Sequence, residues 1–396
     1  MKKFFTSLPF KLIVGIAVGI VAGLFVPESV MQVIVPIKNI MGQLISFVVP
    51  LIVIGFIAPS ITKLGSNASK MLGIALVIAY VSSLLAALLS MGAGYALIPG
   101  MNIASQAEAL KELPADVFAL EIPQIMPVMS ALVIAVLLGL AAVWTKAKTI
   151  TKLLDEFQAI VLKIVSKVVI PLLPFFIATT FCCLAYDGTI TKQLPVFLLA
   201  VVIVIAGHFL WMAVLYGAAG IYTKKNPLRV VKHYGPAYLT AVGTMSSAAT
   251  LAVALRCAHK SDALREDMVD FGVPLFANIH LCGSVLTETF FCMIVSMVLT
   301  GSLPSVGTMV LFCALLAIFA IGAPGVPGGT VMASLGIVSS ILGFGQEGLA
   351  LLLAVFAIQD SFGTACNVTG DGALTMMLTG YCEKHNIEKQ NISVDL

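Results

Sequence analysis

The stretch IQDSFGTACNVTGD, at positions 358–371, closes a long apolar run near the end of the chain. Charged side chains inside a lipid bilayer cost several kcal/mol, so two carboxylates in such a run indicate a function. Four polar residues follow the spacing i, i+4, i+7 and i+11, namely Asp360, Thr364, Asn367 and Asp371. These positions fall within an arc of roughly 60° on an α-helix. The spacing predicts a buried helix with cation and amine ligands on one face, which points to a transport site.

The composition is that of a membrane protein. Of the 396 residues, 60% are hydrophobic and 10% are charged, whereas a soluble domain carries about 25% charged residues. The formal net charge of +3 is too small to suggest a nucleic-acid partner. The eight cysteines form no C-x-x-C pair and are interpreted as small buried residues, without disulfides or a zinc site. The first apolar run follows Lys2 and Lys3 without a convincing cleavage site and is interpreted as the first span.

Eight apolar runs approach or exceed the length of about 20 residues that a transmembrane helix needs. They are 10–27, 31–61, 71–98, 125–144, 157–185, 194–222, 270–300 and 347–380. Each is predicted to cross the bilayer.

Two further apolar stretches, 236–257 and 307–344, are interrupted by small and helix-breaking residues. The first contains GTMSSAAT at 243–250, and the second contains GAPGVPGGT at 322–330. Backbone groups exposed at membrane depth must be satisfied by protein or by a water-filled cavity. Each stretch is therefore interpreted as a re-entrant hairpin, and two of them indicate a transporter site built from inverted repeats. The alternative is two kinked transmembrane helices.

The distribution of lysine and arginine predicts the orientation. Basic residues precede span one and follow spans two, four, six and eight and the first hairpin. The opposite side carries only Lys111 and Lys192, next to an acidic loop. Because positive residues concentrate in cytoplasmic loops, both termini are predicted to be cytoplasmic, in a plasma (inner) membrane. The two hairpins then enter the bilayer from opposite sides.

The chain resembles the dicarboxylate/amino acid:cation symporter family, the glutamate-transporter homologues, over nearly its whole length. The most specific matches are residues 360–371, with NVTGD intact at 367–371, and the hairpin tip GVPGG at 325–329. The sequence SSAAT at 246–250 matches more loosely. The resemblance implies an all-α polytopic fold with eight transmembrane helices and two opposed re-entrant hairpins.

The same resemblance implies a homotrimer in which each chain has two domains. Residues 1–70 and 99–185 would form a fixed scaffold. Residues 71–98 and 194–396 would form a transport domain that carries the solute across the bilayer by an elevator motion.

The chain departs from the family in span seven. There the family has an Asn-Met-Asp-Gly-Thr motif that interrupts the span and helps to bind sodium. This chain has HLCGS at 280–284, so that His280 replaces the asparagine and Cys282 the aspartate. One sodium site of the family is therefore expected to be absent or altered.

A second departure concerns arginine. Acidic-amino-acid transporters of the family pair an arginine in span eight with the second carboxylate of the substrate, and here that position is Gly363. The arginine that some members carry in the first hairpin tip is Met245, and its alternative position in span eight is Ser361. A further aspartate of sodium-binding members is Phe356. No guanidinium group remains to bind a second carboxylate.

Asp360 is the best candidate to bind a substrate ammonium group, because a carboxylate facing a cavity makes charge-assisted hydrogen bonds to a primary amine. Members of the family use this position in that way. The alternative is a counter-ion or a polar group in helix packing.

The other candidates for substrate binding lie on the same helix and at the hairpin tips. Hydroxyl groups and free backbone N–H groups at helix N-termini suit a substrate carboxylate. The small residues among them could equally serve helix packing. These candidates are Gly363, Thr364, Asn367, Ser246, Ser247, Pro327, Gly328 and Gly329.

The resemblance gives Asp371 as a sodium ligand. It gives Asn367 a carbonyl contact to sodium and a side-chain contact to the substrate. Hard cations such as sodium prefer oxygen ligands. His280 and Asn278 complete the candidate cation-binding positions. The alternative is a protonated Asp371 that only packs, because burial favours the neutral form of a carboxyl group.

Glu288 and His280 are the candidates for proton coupling. They lie eight residues apart, on one face if the helix is unbroken. Proton-coupled members of the family carry a glutamate at the position of Glu288, and histidine titrates near neutral pH. Proton coupling would then replace one sodium; the alternative for His280 is a neutral, hydrogen-bonded side chain. The remaining histidines are interpreted as interfacial or loop residues: His208, His233, His259 and His385.

These features favour a secondary active symporter for a small neutral amino acid, such as serine, threonine or alanine. It would be driven by sodium, protons or both, without a cofactor. The second reading is a carboxylate transporter in which Asp360 binds only a cation or a proton. A membrane enzyme or channel is the third. It is disfavoured because the chain has no G-x-S-x-G, H-E-x-x-H or Walker motif, and only the last two spans have continuous polar faces.

Overall fold

The computed structural model describes residues 8–66, 70–101, 103, 113–114, 117–123, 125–323, 325 and 327–387. Lys2, Lys3, Lys111, Pro324 and Val326 lie outside these residues. Every regular element in the described part of the chain is helical, which confirms the predicted all-α class.

Six helices lie in the described residues before residue 187. They are α1 (Leu8–Phe25), α2 (Glu28–Ser66), α3 (Lys70–Leu97), α4 (Val128–Trp144), α5 (Lys148–Ile164) and α6 (Ile170–Tyr186). A π-helical segment, Val165–Val169, joins α5 to α6, and a 3₁₀ turn, Ile98–Met101, ends α3.

In the described residues after 187, nine helices follow. They are α7 (Thr189–Thr223), the short α8 (Leu228–Val231), α9 (Gly235–Thr244), α10 (Ser247–Ala258), α11 (Glu266–Ile279), α12 (Cys282–Thr300), α13 (Val306–Gly322), α14 (Gly329–Leu342) and α15 (Gln346–Lys384).

Five helical stretches in the described residues are long and apolar enough to cross a membrane. They are Glu28–Pro59, Met71–Met101, Pro195–Thr223, Glu266–Thr300 and Gln346–Lys384. Several shorter apolar helices, among them Val14–Phe25 and Val306–Gly322, accompany them. The chain is a multi-pass membrane protein, and the count of eight spans stays a prediction.

Both interrupted stretches form pairs of helices that pack against each other. In the first, α9 and α10 meet at Met245, whose φ of 53° turns the chain sharply, and the Ser246 side chain caps α10 by accepting from the Ala249 N–H. In the second, α13 and α14 are joined by residues 323–328, and Gly328 at φ 71° begins the turn into α14. A positive φ favours glycine, which explains Gly328 at that point. The helix boundaries agree closely with the predicted 236–257 and 307–344.

The helices pack in two groups. In the first group α1 packs on α6, and α2 packs on α4, α5 and α6. In the second, α15 packs on α7, α9, α11 and α12, while α3 packs on α12 and α13. The groups touch where α14 meets α2 and α4 and where α15 meets α1 and α6. Lys38 of α2 also pairs with Glu347 of α15 at 3.3 Å.

The packing of α1 on α6 depends on glycine. Gly15, Gly19 and Gly23 recur every fourth residue and so lie on one face of α1. A Cβ at any of them would collide with a backbone carbonyl oxygen of α6. Small residues at this spacing let two membrane helices approach closely.

The core of the second group lies around α12. Residues 282–296 are buried without exception, and most of α15 is buried beside them. All eight cysteines are free and buried, consistent with their interpretation as small packing residues.

Candidate functional site

Four parts of the fold meet at the candidate site. These are the two hairpin tips, the break between α11 and α12, and the middle of α15. The helix breaks at His280 and Leu281, whose backbone angles are not helical, so the predicted span 270–300 is divided in two. All four polar residues of the predicted face of α15 are buried: Asp360, Thr364, Asn367 and Asp371.

The hairpin tips hold each other and reach Asp360. The Ser246 hydroxyl donates to the Gly325 carbonyl at 2.6 Å, and the Ala248 N–H donates to the same oxygen at 3.3 Å. The Gly328 N–H donates to Asp360 Oδ2 at 2.8 Å. The carboxylate predicted to bind an amine therefore lies directly beneath the second tip.

Asp360 has no basic partner. It is 5% exposed, and in the part of the chain that the structure describes no lysine, arginine or histidine lies within ion-pair distance of it. A buried carboxylate without a counter-ion is costly unless a ligand or a proton compensates it. The alternative of a structural counter-ion loses support.

Asn367 caps α12 from a neighbouring helix. Its side-chain oxygen accepts from the N–H groups of Gly283 at 2.7 Å and Ser284 at 3.2 Å, and its amide nitrogen donates to Ser284 Oγ at 2.9 Å. These contacts satisfy the first orphan donors of α12. An asparagine amide has two donor hydrogens, so one remains for a substrate.

Replacing Asn367 by alanine is expected to lower the free energy of unfolding by about 1–3 kcal/mol, because two buried N–H groups lose their acceptor. The melting temperature of the purified protein in detergent measures this. Asn367→Asp, which keeps an acceptor oxygen for both N–H groups, is the control and should lose less stability. An alanine variant as stable as the parent would contradict the capping role.

His280 connects α3 to α15. Its Nδ1 lies 2.9 Å from Asp371 Oδ1, and its Nε2 lies 2.8 Å from Ser82 Oγ. All three side chains are buried. Asp371 Oδ2 has no hydrogen-bond partner among the described residues. The candidate cation ligand is thus engaged on one oxygen by an imidazole and free on the other.

Glu288 and His280 contact different residues, so the structure does not bring the two proton-coupling candidates together. The Glu288 carboxyl hydrogen-bonds with the Ser334 hydroxyl of α14, whose oxygen also lies 3.0 Å from the Val331 carbonyl oxygen, a second possible acceptor. A hydroxyl has one hydrogen. When that hydrogen goes to Val331, the bond to Glu288 requires a proton on the carboxyl group. The pair can therefore exist with or without a proton on Glu288.

Two of the predicted site residues, Asn278 and Gly363, do not offer a group to a ligand at the candidate site. Asn278 is exposed, and its amide nitrogen donates to the Pro274 carbonyl one turn earlier at 2.8 Å. At Gly363, a Cβ would lie 3.5 Å from both the Ser284 nitrogen and Thr287 Oγ1. That position faces the start of α12.

The interpretation of His208 as an interfacial or loop residue is wrong. It is 1% exposed and lies within α7. Its Nε2 lies 3.0 Å from the Gly283 carbonyl and 3.0 Å from Thr287 Oγ1, and Gln359 Nε2 donates to its Nδ1 at 3.1 Å. The sequence signal was a lone polar residue in an otherwise apolar span.

The three remaining histidines, His233, His259 and His385, are less buried than His208. His259 pairs with Asp270 at 2.9 Å on an accessible surface, and His385 lies just after the end of α15, stacked on Tyr381. Their interpretation as interfacial or loop residues agrees with the structure, because each lies in a turn or just after the end of a helix.

An all-helical membrane protein whose broken helices converge on buried carboxylates belongs to the class of secondary transporters. The sequence profile of the sodium:dicarboxylate symporter family matches residues 8–381, and the chain belongs to this family. The family consists of transporters, not enzymes, as the absence of catalytic motifs indicated.

Curated relatives agree with this. Excitatory amino acid transporter 2 of Mus musculus is 28% identical over 228 residues, covering 56% of this chain and 39% of the relative. Excitatory amino acid transporter 3 of the same species is 30% identical over 211 residues, covering 53% and 39%. The putative sodium-dependent excitatory amino acid transporter glt-4 of Caenorhabditis elegans is 28% identical over 163 residues, covering 41% and 32%. The matches thus span about two fifths or less of each relative's length.

Proposed function

We propose that the protein is a secondary active symporter that moves a small neutral amino acid across the plasma (inner) membrane, driven by sodium, protons or both. The observation that carries the proposal is Asp360, a buried carboxylate that accepts from the Gly328 N–H and the Thr364 hydroxyl and has no basic residue beside it among the described residues. An ammonium group would supply the missing positive charge.

The shape of the site supports one substrate carboxylate. The N-termini of α10 and α14 lie at the hairpin tips, where backbone N–H groups favour an anion. Gly363 offers no cation for a second carboxylate, and its position packs against α12. Serine, threonine and alanine fit these features.

A carboxylate transporter is the second candidate. It is favoured by the family's description as sodium:dicarboxylate symporters and by relatives named excitatory amino acid transporters. In that case Asp360 would bind a cation or a proton rather than an amine.

The two packing groups of helices support a division into scaffold (1–70 and 99–185) and transport domain (71–98 and 194–396). We extend the proposal to an elevator motion, in which the second group of helices moves relative to the first. The whole chain would have eight spans, two re-entrant hairpins and cytoplasmic termini, and it would assemble as a homotrimer. Native mass spectrometry of the detergent-purified protein tests the trimer.

Uptake by proteoliposomes tests the substrate. Labelled alanine and labelled succinate are offered under imposed sodium and proton gradients, applied separately. We expect gradient-driven accumulation of alanine and not of succinate. Accumulation of succinate alone would favour the carboxylate reading, and uptake of neither would reject both.

Glu288→Gln is expected to flatten the pH dependence of alanine uptake, because glutamine cannot release or take up the proton that the Ser334 contact allows on Glu288. Cys292 lies one turn further along α12, so Cys292→Ser is the matched control and should keep the parent's pH profile. Initial rates between pH 5.5 and 8.5 (about three units around neutrality) measure the effect. An unaltered profile in the glutamine variant would reject proton coupling at this position.

A further inference from the structure

A cavity of about 450 Å³ lies between α7, α8 and α9, away from the hairpin tips. Its volume falls within the range of about 300–1,000 Å³ that is typical of ligand pockets. Residues at i, i+3, i+4, i+7 and i+8 of one face of α7, starting at Phe209, form its long wall. Its main lining side chains are Phe209, Met212, Tyr216, Leu228, Tyr234 and Thr369.

Two buried oxygen atoms in this lining have no partner. The Tyr234 hydroxyl and Thr369 Oγ1 make no hydrogen bond within the described residues, although Tyr234 is 1% exposed. Tyr216, by contrast, donates to the Thr369 carbonyl at 2.8 Å. Leaving a buried polar atom unpaired is unfavourable. Both oxygen atoms have almost no accessible surface and so lie behind the cavity wall, which is itself largely apolar and suits an acyl chain.

Basic residues come directly after the end of α7 and next to the cavity-lining residues of α8. Lys225 is paired with Glu383 at 2.6 Å. Arg229 is paired with Asp262, and its hydrogen bond lowers the pKa of that carboxyl group.

Two exposed lysines, Lys224 and Lys232, have no ion-pair partner in the chain as described. They flank Pro227, Leu228 and Val231, all of which line the cavity. The charge of Lys232 also acts on Asp262, so this end of the cavity has four basic side chains against two acidic ones and a net positive charge.

We propose that this cavity binds one anionic phospholipid of the membrane. An acyl chain lies along the α7 face, and the phosphate pairs with Lys224 and Lys232 at the basic end. The reach fits, because Tyr216 lies seven residues, or about 10 Å, before the end of α7, where these basic residues follow. Basic pockets between membrane helices bind anionic head groups in this way.

A lipid bound in this cavity would affect the transport site. Thr369 lies two residues before Asp371, and a Cβ on Gly372 would collide with both Tyr216 and Tyr234. The cavity walls therefore pack tightly against the segment of α15 that carries the candidate cation ligand. A bound lipid stabilises the folded state as any ligand does, which gives a second measurement.

The full-length purified protein is titrated with phosphatidylglycerol and, separately, with phosphatidylcholine. Native mass spectrometry counts the lipids retained per chain, and the melting temperature follows their binding. We expect one tightly retained phosphatidylglycerol. Lys224→Gln with Lys232→Gln should weaken its binding about 30-fold. Ala213→Phe, which fills the cavity, should remove it.

The controls match these variants in kind. Lys148→Gln with Lys260→Gln removes two exposed lysines elsewhere, and Ala218→Phe adds the same ring on an exposed face of α7 that does not line the cavity. Both should retain the lipid. Equal retention of both lipids by the parent, or unchanged binding in the lysine and phenylalanine cavity variants, would overturn the proposal.

Discussion

Replacing Asp360 by asparagine is expected to lower the initial rate of alanine uptake at least about 100-fold. A substrate ammonium would lose its only anionic partner, and truncating one member of a buried charge pair costs about 2–5 kcal/mol. Each 1.4 kcal/mol corresponds to about tenfold in binding. Asparagine keeps an oxygen that can accept from the Gly328 N–H, so the second hairpin tip should stay in place.

The measurement is uptake of labelled alanine by proteoliposomes containing equal amounts of protein, with the melting temperature as a check on folding. Asp262→Asn, at an exposed carboxylate outside the site, is the control and should transport like the parent. Uptake by Asp360→Asn within about threefold of the parent, a difference below 1 kcal/mol, would contradict amine recognition by this residue.

The double variant His280→Asn with Cys282→Asp is expected to raise the apparent affinity for sodium at least about tenfold and to increase the steepness of sodium activation. In the parent, the His280 ring fills the space between Ser82 and Asp371. The Cys282 sulfur lies beside it, since both side chains approach Gly370. The substitutions replace a nitrogen and a sulfur donor by oxygen ligands, which hard cations prefer.

Sodium activation curves of alanine uptake, recorded at constant ionic strength and pH, give the affinity and the steepness. His280→Leu is the control, because it removes the ring without adding an oxygen. It should not gain sodium affinity. If the double variant folds but keeps the parent's sodium curve, the altered motif does not account for a missing sodium site.

The polar face of α15 was predictable from sequence because helical periodicity is a local property. Asp360 and Asp371 had to share a face once the segment was helical, and the structure buries both. The hairpin tips were predictable for a similar reason, since Gly328 requires a backbone conformation that interrupts a helix. The break at His280 was indicated by resemblance alone.

The partners of these residues were not predictable. His280 meets Ser82 of α3, which is 198 positions away, and His208 meets Gln359, which is 151 positions away. Such contacts depend on how helices distant in sequence pack, and helical periodicity says nothing about that. Asn367 shows the same limit, because its role as a cap appears only when α12 lies across α15.

The burial of every native thiol has a practical consequence for topology. Because all eight cysteines are buried, a charged maleimide added to cells should react slowly with the parent protein. A single cysteine introduced at Lys148 or at Val117, which are exposed, can then be labelled selectively, without first removing the native thiols. Reaction of Val117→Cys on intact cells, and of Lys148→Cys only after permeabilisation, would place the two loops on opposite faces of the bilayer.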